Sequence, residues 1–285
     1  MRVPGHWKRR NLPVPDMPVP RLVRDSEWHV DPGWRQGRGA WGGLTITRMA
    51  NAVSQIEDPA RTIRTLSAQI LEPVTAGDYL VSVECLRAGS AMSTWNVAVR
   101  RQINSELVAQ GQVITGSERV VTVTPELSTW GTATMPVVEP WESVAVAPVG
   151  PPFAPEFTAR LEFRPITPLP TAGDTSGAIG WINIPDSTTP GNVWTAPELM
   201  GIIDGWWPAT YTLMDSMHPM ATVAFTVHLL IDPAEIAPIN GERSPLLHEA
   251  SVSSAYGGFT SELRRLWTPD GRLVAENLQS IVIIK

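Results

Sequence analysis

The apolar and polar positions of this chain predict one helix-then-strands pattern, and the pattern occurs twice. A Gly-opened stretch over residues 43–56 reads as a helix, followed by strand-like segments from residues 63–73 to Leu107-Val108-Ala109. A second helix reads from Ala196 onward, with strand-like segments from residues 221–233 to Leu273-Val274-Ala275. Each copy closes its first strand on two aliphatic residues, an acid and a proline, Ile70 to Pro73 and Leu230 to Pro233. Self-similarity in this order implies a duplicated helix-plus-sheet unit. Aligning the two acid-proline pairs sets Thr62 opposite Thr222, which keeps a hydroxyl in both copies, and brings Val113 near the position of Gln279.

The two helices differ. The second opens on Thr195-Ala196-Pro197-Glu198, a capping box in which the Thr hydroxyl and the Glu carboxylate satisfy free amides. From Leu199 through Ile203, Trp206, Trp207 and Tyr211 to Met214, apolar residues cover nearly the whole circumference. Such a pattern predicts a core helix buried on most sides and wrapped by a sheet. Asp204 falls in the middle of it, where a carboxylate needs partners or a proton, and Pro208 opposes the Asp204 carbonyl, predicting a kink there. The first helix contains no Asp or Glu. In the last strand Leu273, Ala275, Asn277, Gln279 and Ile281 share one face, so Gln279 sits among mostly apolar neighbours and needs a partner.

Between the copies, nine prolines from Pro136 to Pro170 exclude a continuous helix or central strand. This segment reads as a stiff linker, and residues 158–164 alternate as the first strand of the second copy would. The expected organisation is an N-terminal arm over residues 1–24, a first unit over 25–135, a linker over 136–157 and a second unit over 158–285.

Composition narrows the partners. With 43% apolar residues the chain can build sizeable cores, and no apolar run suggests a membrane span or signal peptide. A net charge of −6 argues against a nucleic-acid partner. One cysteine, Cys85, excludes an internal disulfide and reads as a small core residue, while the five histidines fall in no metal-ligand spacing. A cytoplasmic protein without metal or cofactor is expected. Gly37-x-Gly39-x-x-Gly42 matches a dinucleotide fingerprint formally, but consecutive strands follow its helix without alternating helices, so close helix packing is the better account of these glycines. The chain contains no Gly-x-Ser-x-Gly elbow, which argues against a serine hydrolase.

Several segments resemble the bacterial type II acyl-CoA thioesterases. In the first half they are Gly37 to Gly43, residues 63–73 and Leu86 to Ser93. In the second half they are Gly201-Ile202-Ile203-Asp204, Ala221-Thr222-Val223, Tyr256 to Phe259, Trp267 to Ala275 and Leu278-Gln279. The resemblance spans about residues 25–285. It implies an α+β double hotdog, in which each unit is a helix wrapped by an antiparallel sheet and the two sheets join into one. It also implies that Asp204, Thr222 and Gln279 hold a hydrolytic water, that the substrate is an acyl-CoA or related acyl thioester, and that the protein is a homo-oligomer. Family members often carry an acid two positions after the Thr, where this chain has Ala224.

The residue types suit thioester hydrolysis. A carboxylate among apolar residues has the raised pKa that a general base benefits from. Thr222 and Gln279 would orient the water, and the Gly42-Gly43 end of the first helix is a candidate source of oxyanion donors. Trp206 and Trp207 read as core, with one ring available to line an acyl tunnel. A non-hydrolytic protein that binds acyl chains or acyl thioesters, or an enzyme releasing a carrier-bound acyl group, is the alternative.

Overall fold

A computed structural model describes residues 21–119, 131, 133–167, 169–173, 177–185 and 189–284. Residues 1–20 of the expected N-terminal arm lie outside the described residues, and residues 21–24 open the first strand.

The first half contributes strands β1 (Arg21–Val30), β4 (Thr62–Ile70), β5 (Gly77–Ala88), β6 (Met92–Arg101) and β7 (Leu107–Gly116), with a small ribbon of β2 (Arg35–Gln36) and β3 (Gly39–Ala40). The second contributes β8 (Glu162–Pro165), β9 (Gly177–Asn183), β10 (Met220–Leu229), β11 (Leu246–Tyr256), β12 (Phe259–Trp267) and β13 (Leu273–Ile283). Eleven of these form one sheet in the order β1-β5-β6-β7-β4-β10-β13-β12-β11-β9-β8. Neighbours pair antiparallel throughout, and β4 joins β10 through partners such as Leu66 and Val227. This continuous sheet is the layout that the resemblance implies.

Two helices, α1 (Gly42–Ser54) and α2 (Ala196–Ile202), lie on one face of the sheet. Ile46, Met49 and Val53 of α1 are buried against it. Each such side chain contributes roughly 1.5–3 kcal/mol on burial. The helices cross where neither can carry a side chain. A Cβ on Gly201 would lie 1.9 Å from Thr47 Oγ1 and 2.6 Å from the Gly43 carbonyl oxygen, and one on Gly43 would lie 2.4 Å from the Gly201 carbonyl oxygen.

Three expectations need correction. The capping box at Thr195 and Glu198 is present, but α2 stops at Ile202 instead of continuing past residue 210, so Asp204 lies just beyond the helix and not within it. Pro208 removes a donor further on, and the carbonyls that would have continued the helix find other partners: Trp41 Nε1 donates to the Asp204 carbonyl at 2.9 Å, and His248 Nε2 to that of Ile203 at 3.0 Å. Residues 209–213 resume only as a 3-10 turn. Residues 156–160 likewise form a 3-10 turn, and the strand expected over 158–164 is confined to β8.

The third correction concerns register. One residue bulges from β4 between Ile63 and Thr65 and one from β10 between Thr222 and Ala224, so these irregularities align the copies. They set Ile63, and not Thr62, opposite Thr222, because the second copy has one more residue between its strand end and its acid-proline pair. Val113 then corresponds to Gln279, Trp95 to Glu262 and Val97 to Arg264.

The proline-rich segment does more than connect. Trp181, Leu247 and Trp267 point away from the helices and are covered by Met135, Val138, Trp141 and Val144. Trp181 Nε1 donates to the Glu139 carbonyl at 3.0 Å, and Arg164 Nη1 donates to the carbonyls of Trp141 and Val144.

Candidate active site

The end of α2, the start of β10 and the middle of β13 converge, bringing three polar side chains together on the helix side of the sheet. Gln279 Nε2 donates to Asp204 Oδ1 at 2.8 Å and to Thr222 Oγ1 at 2.5 Å. Because a carboxylate accepts, the amide must face Asp204 with its nitrogen, which leaves Gln279 Oε1 buried without a partner among the described residues. Thr222 accepts from Gln279, so its own hydroxyl proton is free to turn elsewhere. Asp204 is 7% exposed and Gln279 1%, whereas Thr222 is only half-buried. Solvent therefore reaches the set from the Thr222 side.

Helix α1 meets the site at its N-terminus. Trp41, at the cap position, provides no capping side chain, and the Asp204 carboxylate lies beside the first turn of α1, where the Gly43 backbone N–H helps to stabilise its charge. An acid from one half thus lies against the N-terminus of the helix of the other, where the helix dipole is positive. A Cβ on Gly42 would stand 2.9 Å from Asp204 Oδ2, so the carboxylate can lie there only because that residue is glycine. Gly42 and Gly43 are accordingly at the site, beside the Asp204 carboxylate.

Burial pushes the Asp204 carboxyl above the usual range, and the nearby Glu262 adds to this; Arg264, the Gln279 amide and the Gly43 N–H pull the other way without cancelling it. Trp206 is buried and stacks at 13° on His248 with ring centroids 5.5 Å apart, and Trp207 packs against Phe163. Both indole N–H groups lack an acceptor among the described residues. Two surface clefts of about 390 and 360 Å³ are lined by other residues, the first around Tyr79 and Arg101 and the second around Asn51, Glu57 and Thr195. Among the described residues no three His, Cys, Asp or Glu side chains are placed to hold a metal ion.

Sequence reasoning missed a layer behind Asp204. Arg264 Nη1 lies 3.4 Å from Asp204 Oδ1, and Arg264 Nη2 lies 3.0 Å from Glu262 Oε2. His248 is fully buried, with its pKa lowered to about 3 by burial and by Arg264. Because the Ile203 oxygen only accepts, Nε2 carries the proton of this neutral ring. The available signal was in β12, where strict alternation puts Thr260, Glu262, Arg264 and Leu266 on the core face, two opposite charges among them.

An acyl-CoA thioesterase N-terminal domain model matches residues 30–116, and the corresponding C-terminal domain model matches residues 131–283. The chain belongs to the acyl-CoA thioesterase family. Among solved structures, it is similar to a hot dog fold protein of unknown function from Alicyclobacillus acidocaldarius, with 20% identity and TM-score 0.78 over 95% of this chain and 97% of that one. Acyl-CoA thioesterase II TesB2 from Mycobacterium marinum aligns with 16% identity and TM-score 0.68 over 93% and 96%. The TesB protein of Mycobacterium avium subspecies paratuberculosis aligns with 15% identity and TM-score 0.71 over the same shares. These likenesses establish the double-hotdog fold. No curated protein matches.

Proposed function

We propose that the protein hydrolyses an acyl-CoA or related acyl thioester to a free acid and a thiol. Asp204 takes the proton of a water that attacks the thioester carbonyl, and returns it to the thiolate when the tetrahedral intermediate collapses. Thr222 and Gln279 fix the water: the Thr hydroxyl and the free Gln279 Oε1 are the groups available to bond it. The positive end of α1 lies beside the carboxylate and supplies a favourable field for the developing oxyanion. The observation that carries the reading is the contact of Asp204, Gln279 and Thr222 across α2, β13 and β10, at hydrogen-bond distance and with the acid's pKa raised. A base with a raised pKa works nearer to neutral pH than an ordinary aspartate.

Thiol release across a panel of acyl-CoA chain lengths tests this. Wild type should turn over at least one of them, and Asp204→Asn, nearly isosteric, should fold yet lose about 10²–10⁴-fold in rate. Equal rates for the two would remove Asp204 as base. Acyl-chain binding without thiol release would favour a binding protein, and turnover only of carrier-bound acyl groups a release enzyme.

A further inference from the structure

Asp204 and the core behind it hold two carboxyl groups and one guanidinium, all but closed to water: Glu262 is fully buried and Arg264 is 1% exposed. Burying charges in this way is costly unless they are paired, and one cation balances one carboxylate. The geometry says which one. Glu262 Oε2 receives Arg264 Nη2 at 3.0 Å and Nε at 3.3 Å, and Glu262 Oε1 receives the backbone N–H and the hydroxyl of Thr210, each at 3.0 Å. Of the guanidinium, Asp204 receives only Nη1, at 3.4 Å, and that nitrogen is shared with the Ile203 carbonyl at 3.5 Å. Glu262 is the guanidinium's principal partner and Asp204 its secondary one.

We infer that Arg264 and Glu262 are positioning residues for Asp204: Arg264 orients its carboxylate, and Glu262, by holding most of the guanidinium's contacts, keeps Asp204 basic. This rests on the reading of Asp204 as the general base. The other groups facing Asp204 among the described residues are the Gly43 N–H from α1, Gln279 from β13 and, through the Ile203 carbonyl, neutral His248 from β11, so Arg264 and Glu262 are the charged neighbours. Removing either one should therefore move the titration of Asp204, in opposite directions. Losing the cation makes the carboxyl more basic. Losing the competing carboxylate gives Asp204 the whole guanidinium and makes it less basic.

The test is the acid limb of the kcat/KM profile for wild type, Arg264→Met, Arg264→Lys and Glu262→Gln. The side-chain carboxyl ¹³C shift of Asp204, assigned by its loss in Asp204→Asn, follows the same titration without turnover. Arg264→Met should move both readouts up by roughly one unit or more, Arg264→Lys should restore part of that, and Glu262→Gln should move both down. A role confined to packing would lower stability without moving the two variants apart, so shifts of the same sign, or none, overturn the proposal. If Arg264→Met does not fold, the near-isosteric Glu262→Gln decides alone by whether the shift is downward. The failures are distinguishable: wild-type rates in Asp204→Asn remove the base itself, whereas an inactive Asp204→Asn with unmoved titrations removes only the role of the pair.

Discussion

Each half of the molecule places a carboxylate just past the end of its helix, and the two are treated in opposite ways. Glu57 follows α1; burial alone would raise its pKa, but hydrogen bonds from the Thr115 hydroxyl, the Asp58 N–H and the Trp95 indole take it below the usual range. Asp204 follows α2, and there burial prevails and the pKa is raised. Glu57, saturated by donors, holds its charge more readily than an ordinary glutamate, and Asp204, supplied with fewer, less readily than an ordinary aspartate. Carboxyl groups whose environments drive their pKa values apart are those to which distinct roles are assigned. The sheet beneath them repeats the contrast, since Val81, Val97 and Val113 in the first half occupy the positions of His248, Arg264 and Gln279 in the second. The outer faces differ as well. Ser67, Gln69, Gln110 and Gln112 of the first half meet solvent directly or in part, whereas Trp181, Leu247 and Trp267 of the second lie under the proline-rich segment.

The contrast can be broken at several points. The largest effect is expected on the covered outer face: Trp267→Ala should cost about 3–5 kcal/mol in urea unfolding, and Gln112→Ala on the open face of the first half less than about 0.5 kcal/mol. Comparable losses would mean that the covering segment contributes little. Next, Gln279→Val writes the first half's residue into the second; thiol release should fall by about 10²-fold with the fold retained, as for the loss of one orienting donor. A smaller effect concerns acid stability. The His248 pKa, lowered to about 3 from an ordinary 6.5, means that the fold accepts only the neutral ring. Its contribution is complete above about pH 6.5 and is lost progressively as the pH falls toward 3. His248→Gln should flatten the fall in melting temperature over that window, and an unchanged slope would assign acid lability to other groups. Smallest of all, Glu57→Gln and Thr62→Ala should leave turnover within about twofold, although the former removes a bonded anion and should lower stability by about 1–3 kcal/mol. A large rate loss from either would point to a second working centre in the first half.

Much of this could be read from the chain before folding. The duplication, the capped start of α2, the core-facing parity of Gln279 and the acid-free first helix are local or periodic properties, and periodicity records which side of an element is buried. What failed was longer in range. Apolar residues around residues 203–214 predicted a continuing helix because periodicity registers burial without saying what the carbonyls bond to. Trp41 and His248, distant in sequence, supply those partners and let the chain leave the helix at Asp204. The match of Thr62 to Thr222 failed by one residue, since a strand reverses its faces at every step and only the paired bulges fix the register. Glu262 and Arg264 were visible as charges on an alternating strand, but whether such a pair faces water or the core is decided by the sheet. The sequence by itself therefore determined the repeated architecture and the candidate polar residues. Tertiary structure alone decided that an acid from the second half lies against the N-terminus of the first helix and which charges stand behind it, because those contacts join segments that no local pattern connects.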